Sequence, residues 1–254
     1  INGNGGSSGK TSSIPIATVL KGTPETKENG NPAPTIKPFQ IVFIDLLKLK
    51  DMVLYNKPTM DDDNILSTAG AMYFDMIRDK KSIDIKEIEP IVILKSKNPE
   101  SGMSIYYESK KSDGKYTWKK DESTPINEFI NNKDSVSYKF KPSKFGWINI
   151  DKFYAIPGEK TTLTCKSEYL DLKYIYTMIA FPAIHSVVRI PTSGISTNLP
   201  VGEKAYLIAI SVSKKKEFFV HFESIEIKKN QTIDLLLKPY TKKELEDLLD
   251  KIDN

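Results

Sequence analysis

From residue 13 onward the apolar side chains recur mostly at every second position. SIPIATVL (13–20), AMYFDMI (71–77), IEPIVIL (88–94), MSIYYES (103–109), KYTWKK (115–120) and SVSYKF (135–140) are strand-length stretches of this kind. PFQIVFIDLL (38–47) is apolar on both faces, which predicts a strand covered on two sides. Between these runs, Asp113-Gly114 supplies a positive-φ turn and predicts a hairpin joining 103–109 to 115–120. The stretch DMVLYNKPTMDDDN (51–64), with Pro58 and three consecutive acids, reads as a loop.

The texture changes at KPSKFG (141–146), where Pro142 and Gly146 mark a break and predict a domain boundary. After it come WINIDKFY, KTTLTCKS, LKYIYTMIA, HSVVRI, EKAYLIAISV, EFFVHFESIEI and QTIDLLLK, separated by turn-rich gaps. Short strands punctuated in this way predict a sandwich. In EFFVHFESIEI the apolar positions switch from Phe218, Val220 and Phe222 to Ile225 and Ile227. A one-residue bulge near Glu223 would keep both sets facing inward. At the end, Thr241 and Glu244 have capping-box spacing, and Leu245, Leu248, Leu249 and Ile252 form one helical stripe. The expected fold class is therefore all-β: two β-sandwich domains in tandem with a short C-terminal α-helix. The divisions are a flexible Gly/Ser/Asn-rich linker at 1–12, sandwiches at 13–142 and 143–240, and a C-terminal helix segment at 241–254 that packs on its own sandwich.

Composition narrows the functional classes. The 254 residues carry a formal net charge of only +4. The basic residues are almost all lysine, with Arg78 and Arg189 the only arginines. Nucleic-acid recognition favours the bidentate arginine fork, so no nucleic-acid partner is expected. No apolar run approaches the ~18 residues that span a bilayer, so no transmembrane segment is expected in the chain. The sequence opens on Ile1, which leaves room for a targeting segment ahead of it.

The candidate chemistry is sparse. Cys165, the single cysteine, lies on one face with Thr161 and Leu163 and reads as a small buried hydrophobe. Asp61, Asp62 and Asp63 lack the spaced pattern of a calcium loop and read as a solvated turn, with calcium as the alternative. His185 and His221, the only histidines, sit in different strand candidates, short of a metal-ligand set. There is no G-x-S-x-G, H-E-x-x-H or glycine-rich phosphate loop. No catalytic residue, metal or cofactor is expected.

Two groups of residues stand out as candidates. In KFGWINIDKF (144–153), Trp147, Asn149 and Asp151 share a strand face. The expected role of Gly146, Trp147, Asn149 and Asp151 is structural. Trp147 would lie at an interdomain seam, Asn149 and Asp151 would bond loop backbone, and Gly146 would let the chain bend. A sugar-stacking platform is the alternative. On the hairpin at 103–120, Tyr106, Tyr107, Tyr116 and Trp118 bring large amphipathic area to one place and are expected to contact a partner.

These stretches carry a resemblance. Gly30-Asn31-Pro32, Asp51-Met52, Asn56-Lys57-Pro58-Thr59 and Gly70 resemble a ZU5-like β-sandwich segment found in uncharacterised cell-envelope proteins of the Bacteroidota. Gly146, Trp147, Ile148, Asn149, Asp151 and Phe153, with LPVGEKAYLIAI (199–210), resemble the β domain that follows it in those proteins. Where that group commonly has Cys and Arg, this chain has Ile150 and Lys152, so no role resting on that thiol or guanidinium carries over. The resemblance implies export to the periplasm or outer-membrane surface, as a secreted component or a lipoprotein anchored upstream of Ile1. It implies other envelope proteins as partners and attaches no catalytic residue. The expected function is a non-enzymatic interaction or scaffold module, an accessory subunit of an outer-membrane secretion or uptake complex. A carbohydrate-binding module and a hydrolase of unrecognised geometry are the alternatives.

Overall fold

The computed structural model describes residues 18–21, 39–96, 100–112, 116–132, 135–168 and 170–253. The expected linker at 1–12, most of the strand expected at 13–20, Gly30-Asn31-Pro32 and the Asp113-Gly114 turn lie outside these residues. The first part of the chain forms β1 (Thr18–Lys21), β2 (Gln40–Leu46), α1 (Leu49–Leu54), β3 (Met60–Asp61), β4 (Asn64–Arg78), β5 (Lys81–Ser82) and β6 (Val92–Ser96). There follow β7 (Ser104–Lys110), β8 (Tyr116–Lys120), β9 (Asn127–Asn132), β10 (Ser135–Phe140) and β11 (Gly146–Phe153). The rest comprises β12 (Lys160–Lys166), β13 (Tyr176–Phe181), β14 (Ser186–Ile190), β15 (Ile195–Pro200) and β16 (Lys204–Val212). Then come β17 (Phe218–Glu226), β18 (Gln231–Asp234), β19 (Lys238–Tyr240) and α2 (Lys242–Leu249). The fold is all-β with one short C-terminal helix of the expected kind.

The described strands form four sheets. The largest runs β1-β2-β4-β11-β7-β8, with β3 and β5 also pairing to β4. A three-stranded sheet, β6-β10-β9, lies against it. Between the two, Met72, Phe74, Ile105, Ile148 and Ile150 meet Val92, Leu94, Tyr138 and Phe140 in one core. The remaining strands form a five-stranded sheet, β14-β13-β16-β17-β19, and a three-stranded one, β15-β12-β18. Ile179, Phe181 and Leu207 of the former meet Leu163, Cys165 and Leu199 of the latter in a second core.

A third core joins these two halves. Leu46, Leu66, Ala71, Tyr106 and Trp118 from the large sheet pack with Met178, Val187, Ile208 and Val220 from the five-stranded sheet. Both helices contribute to it, α1 through Leu49, Met52 and Val53, and α2 with the turn after it through Leu245, Leu249 and Ile252. Two main sheets are therefore buried on both faces. That is why β13 and β16 read as near-continuous apolar runs and not as a clean alternation.

This arrangement corrects the boundary expected after residue 142. Gly146–Phe153 does not open the second half; β11 is inserted between β4 and β7 of the large sheet. The Pro142–Gly146 break is the passage from one sheet of the first half to the other. Gly146 has φ +117 with open space where a Cβ would sit, so the backbone angle is what requires glycine there.

The face switch in β17 also has a different cause from the one expected. The pairing of β17 with β16 runs unbroken from Lys204↔Glu226 to Val212↔Phe218, with no bulge. Val220 and Phe222 face the joining core, while Ile225 and Ile227 face the second core. The strand passes from cover on one side to cover on the other.

Where 51–64 reads as a loop, α1 intervenes. Its own N-cap residue, Lys48, gives no side-chain cap. The cap comes from Asp253, whose carboxylate accepts the backbone N–H groups of Leu49 at 2.9 Å and Lys50 at 3.3 Å. Lys50 is also paired with Asp250. Helix α2 is itself closed by the expected capping box, Thr241 with Glu244. The acids at 61–63 form a tight turn between β3 and β4, with Asp61 opposite Asn64 and Asp62 at φ 53.

Candidate functional site

A cleft of about 710 Å³ opens between the halves. Its first wall comes from the segment after α1, the β3–β4 turn and edge strand β8; its second comes from the end of β14, the turn after it and edge strand β15. β8 presents Tyr116, Thr117 and Trp118, and β15 presents Ile195, Ser196 and Thr197. Among the described residues each of these strands terminates its sheet, so the cleft is walled by edges rather than by sheet faces.

The edges are held in place by cross-links. Trp118 donates its indole N–H to the Pro58 carbonyl at 2.7 Å. Thr117 accepts the N–H of Asp62 at 3.0 Å. Thr59 donates its N–H to the Val187 carbonyl at 2.7 Å and accepts the Val187 N–H at 2.9 Å through its hydroxyl, tying the first wall to the second. On the far side, the Gly194 carbonyl accepts the Cys165 N–H at 2.7 Å and sets the start of β15.

The charges in the cleft are mostly paired. Lys57 pairs with Glu108 at 2.5 Å and lies 4.2 Å above the Trp147 ring. Lys111 pairs with Asp62. Arg189 differs: among the described residues its guanidinium makes no salt bridge or ring contact, although its own backbone N–H reaches the Met60 sulfur at 3.2 Å.

The four aromatic residues expected to contact a partner divide sharply. Tyr116 is 58% exposed in the cleft. Tyr106, Tyr107 and Trp118 are only 5%, 4% and 3% exposed, which corrects the expectation of one contact surface. β7 is an interior strand of the large sheet, so alternation puts Tyr106 into the joining core and Tyr107 into the first core. The Tyr107 hydroxyl accepts the Ser143 N–H at 2.7 Å. Burial pushes the Tyr106 hydroxyl up to about 12, helped by the nearby Asp151, Asp61 and Glu122 carboxylates.

Gly146, Trp147, Asn149 and Asp151 lie behind the cleft, on the strand that faces the joining core. Trp147 packs edge-on against Tyr55 at 6.2 Å and Tyr73 at 5.4 Å between ring centres. Asn149 and Asp151 are fully buried, and they bond side chains rather than loop backbone. Thr68 donates its hydroxyl to Asn149 at 2.9 Å, and the Asn149 amide donates to Asp151 at 2.6 Å. Burial raises the Asp151 carboxyl well above the ordinary carboxylate range, against the lowering effect of its Thr68 and Asn149 neighbours. His185 donates Nδ1–H to the Thr68 carbonyl and accepts the Thr68 N–H through its own carbonyl, so this polar group is stitched to the second half. Asn149 and Asp151 reach no open surface and Trp147 is half-buried, so a sugar platform is not what they build.

The remaining candidates are dispersed. His221 accepts the Leu236 N–H through Nδ1 in β17, away from the Thr68–His185 contact. Cys165 is buried, and burial pushes its thiol up to about 12. Among the described residues no group of three or more His, Cys, Asp or Glu side chains is placed to hold a metal ion, and no helix is long and apolar enough to cross a membrane. Comparison with family models, curated proteins and solved structures returned no match.

The sequence pattern missed the second wall altogether. Its residues, PTSGIST, have the composition of a turn, and only the rarity of arginine in the chain drew attention to Arg189.

Proposed function

We propose that this chain is a non-enzymatic interaction module that engages its partner through the cleft between its halves. The observation that carries this reading is the pairing of two edge strands, β8 and β15, across an open cleft with the exposed Tyr116 ring on its wall. Edge strands offer backbone donors and acceptors to an incoming chain, and a half-exposed tyrosine offers area with a polar tip. The placement in the cell envelope, as an accessory secreted or lipid-anchored subunit of an outer-membrane secretion or uptake complex, rests on the resemblance in the sequence.

Two rival readings have less support. A glycoside hydrolase needs two carboxyl groups free to flank the scissile bond, but of the cleft's acids Glu108 and Asp62 are each engaged by a lysine of the protein itself. A carbohydrate module is favoured by a row of exposed rings; in this cleft Tyr116 is exposed, Tyr55 is half-buried and Trp118 is buried.

Tyr116→Ala tests the reading. Because the ring is mostly exposed, the variant should melt within a degree or two of wild type, as surface changes usually do. It should also lose partners recovered by affinity purification from native envelopes. Recovery of the same partners in the same yield would refute the assignment of the cleft.

A further inference from the structure

The cleft carries one unspent cation. Lys57 and Lys111 are already committed to Glu108 and Asp62, whereas the Arg189 guanidinium is unpaired among the described residues. Arg189, on β14, lines the cleft on the same wall as Thr192, Ser196 and Thr197. A half-buried guanidinium without a carboxylate has an incomplete set of hydrogen bonds, because all five of its N–H groups are donors. Its planar fork matches a carboxylate in two parallel bonds, a geometry that lysine cannot reproduce. The chain has only two arginines among 37 basic residues, and the other, Arg78, pairs with Glu87 on another part of the surface.

We propose that the cleft takes an extended peptide and that Arg189 anchors an acidic side chain of it. This deepens the interaction reading above and rests on it. The peptide backbone runs along edge strand β8 or β15, Tyr116 covers one of its apolar or aliphatic positions, and a Glu or Asp side chain meets the Arg189 fork. The pairing of the two cleft lysines with the protein's own carboxylates keeps them from competing for that acid. An acidic segment is therefore read at one point, through bidentate geometry, and not by a diffuse basic patch.

The test uses the full chain and three fluorescein-labelled, end-blocked octapeptides in which threonine alternates with glutamate, glutamine or lysine. Fluorescence anisotropy should show binding of the glutamate peptide in preference to the other two. Arg189→Ala should weaken that binding about ten- to hundred-fold, the range expected for a charge-assisted pair, and Arg189→Lys should restore only part of it. Raising salt should weaken binding without abolishing it. Equal binding of the glutamate and glutamine peptides, or an Arg189→Ala variant that binds as wild type, would overturn the anchor. Binding of an acidic oligosaccharide such as oligogalacturonate in place of all three peptides would overturn the peptide class. If no peptide binds while Tyr116→Ala still strips partners from native envelopes, the acidic-peptide inference fails and the cleft reading survives. If neither effect is seen, both fall.

Discussion

Gly194 shows how much can depend on one small residue. Its φ is +77, and a Cβ there would stand 2.4 Å from the Cys165 carbonyl oxygen and 2.7 Å from Leu172. The tip of the half-buried Leu172 side chain can move aside but the Cys165 backbone cannot yield cheaply, so Gly194→Ala should destabilise the protein by about 1–3 kcal/mol, read as a shift in urea midpoint. A variant as stable as wild type would mean that this turn relaxes more readily than its contacts indicate. Asp51 makes a different kind of test. Its carboxyl is raised from 3.8 to about 6, mainly by burial, with Asp253 and Asp45 adding to the effect and Lys50 and Lys48 opposing it. A carboxyl raised in the folded state binds more protons there than in the unfolded chain, so its contribution to stability is best in acid and falls as pH rises from about 4 to about 6. Asp51→Asn removes that slope. The stability difference, variant minus wild type, should therefore grow in the variant's favour across that window and level off above it, as measured by urea unfolding at a series of pH values. Residue types announced some of this and hid the rest. Cys165 reads as buried from its strand face alone, whereas nothing local to LKLKDMVL tells that Asp51 and Lys50 are buried beside residues 250–253.

Among the elements, the two helices show the contrast between local and distant causes. Helix α2 is written in its own residues: capping box, apolar stripe and preceding proline all lie within fifteen positions or so, and the structure has it where the pattern predicts. Helix α1 is six residues long, too short to persist on propensity, and its cap belongs to Asp253. Asp253→Ala should cost about 0.5–2 kcal/mol, the usual penalty for losing a helix cap. The loss should register as faster hydrogen exchange at Leu49 and Lys50, with little change in β12 or β15. Unchanged exchange at those two amides would show that α1 is held by packing alone. The strands divide in the same way. Strands with an alternating or continuous apolar pattern, such as those within 103–109 and 135–140, are legible; β15 and β9 are polar, lie at sheet edges and owe their conformation to a neighbour's backbone. The expected bulge in β17 failed for an instructive reason: alternation was judged against one interior, and this strand serves two.

At the level of the whole molecule, the all-β class was readable because two-residue periodicity is a local property. The way the halves meet was not. Leu46, Trp118, Met178 and Leu249 are separated widely in sequence and share one core, and no spacing rule connects them. The cleft followed the same logic. Tyr116 was visible as a candidate; Arg189, Ser196 and Thr197 enter only because β14 and the turn after it come to rest opposite β8. Of three aromatics expected outside, Tyr106 and Tyr107 are inside because a strand thought to start a new domain instead fills the middle of the large sheet beside β7, and Trp118, on edge strand β8, is covered by the core that joins the halves. The clasp between Asp253 and α1 carries a consequence for biosynthesis. An acid 204 positions downstream completes the first helix. A nascent chain emerging from the ribosome therefore holds Leu49–Leu54 uncapped until Asp253 has been made, and during that interval the apolar side of this segment is open to chaperones.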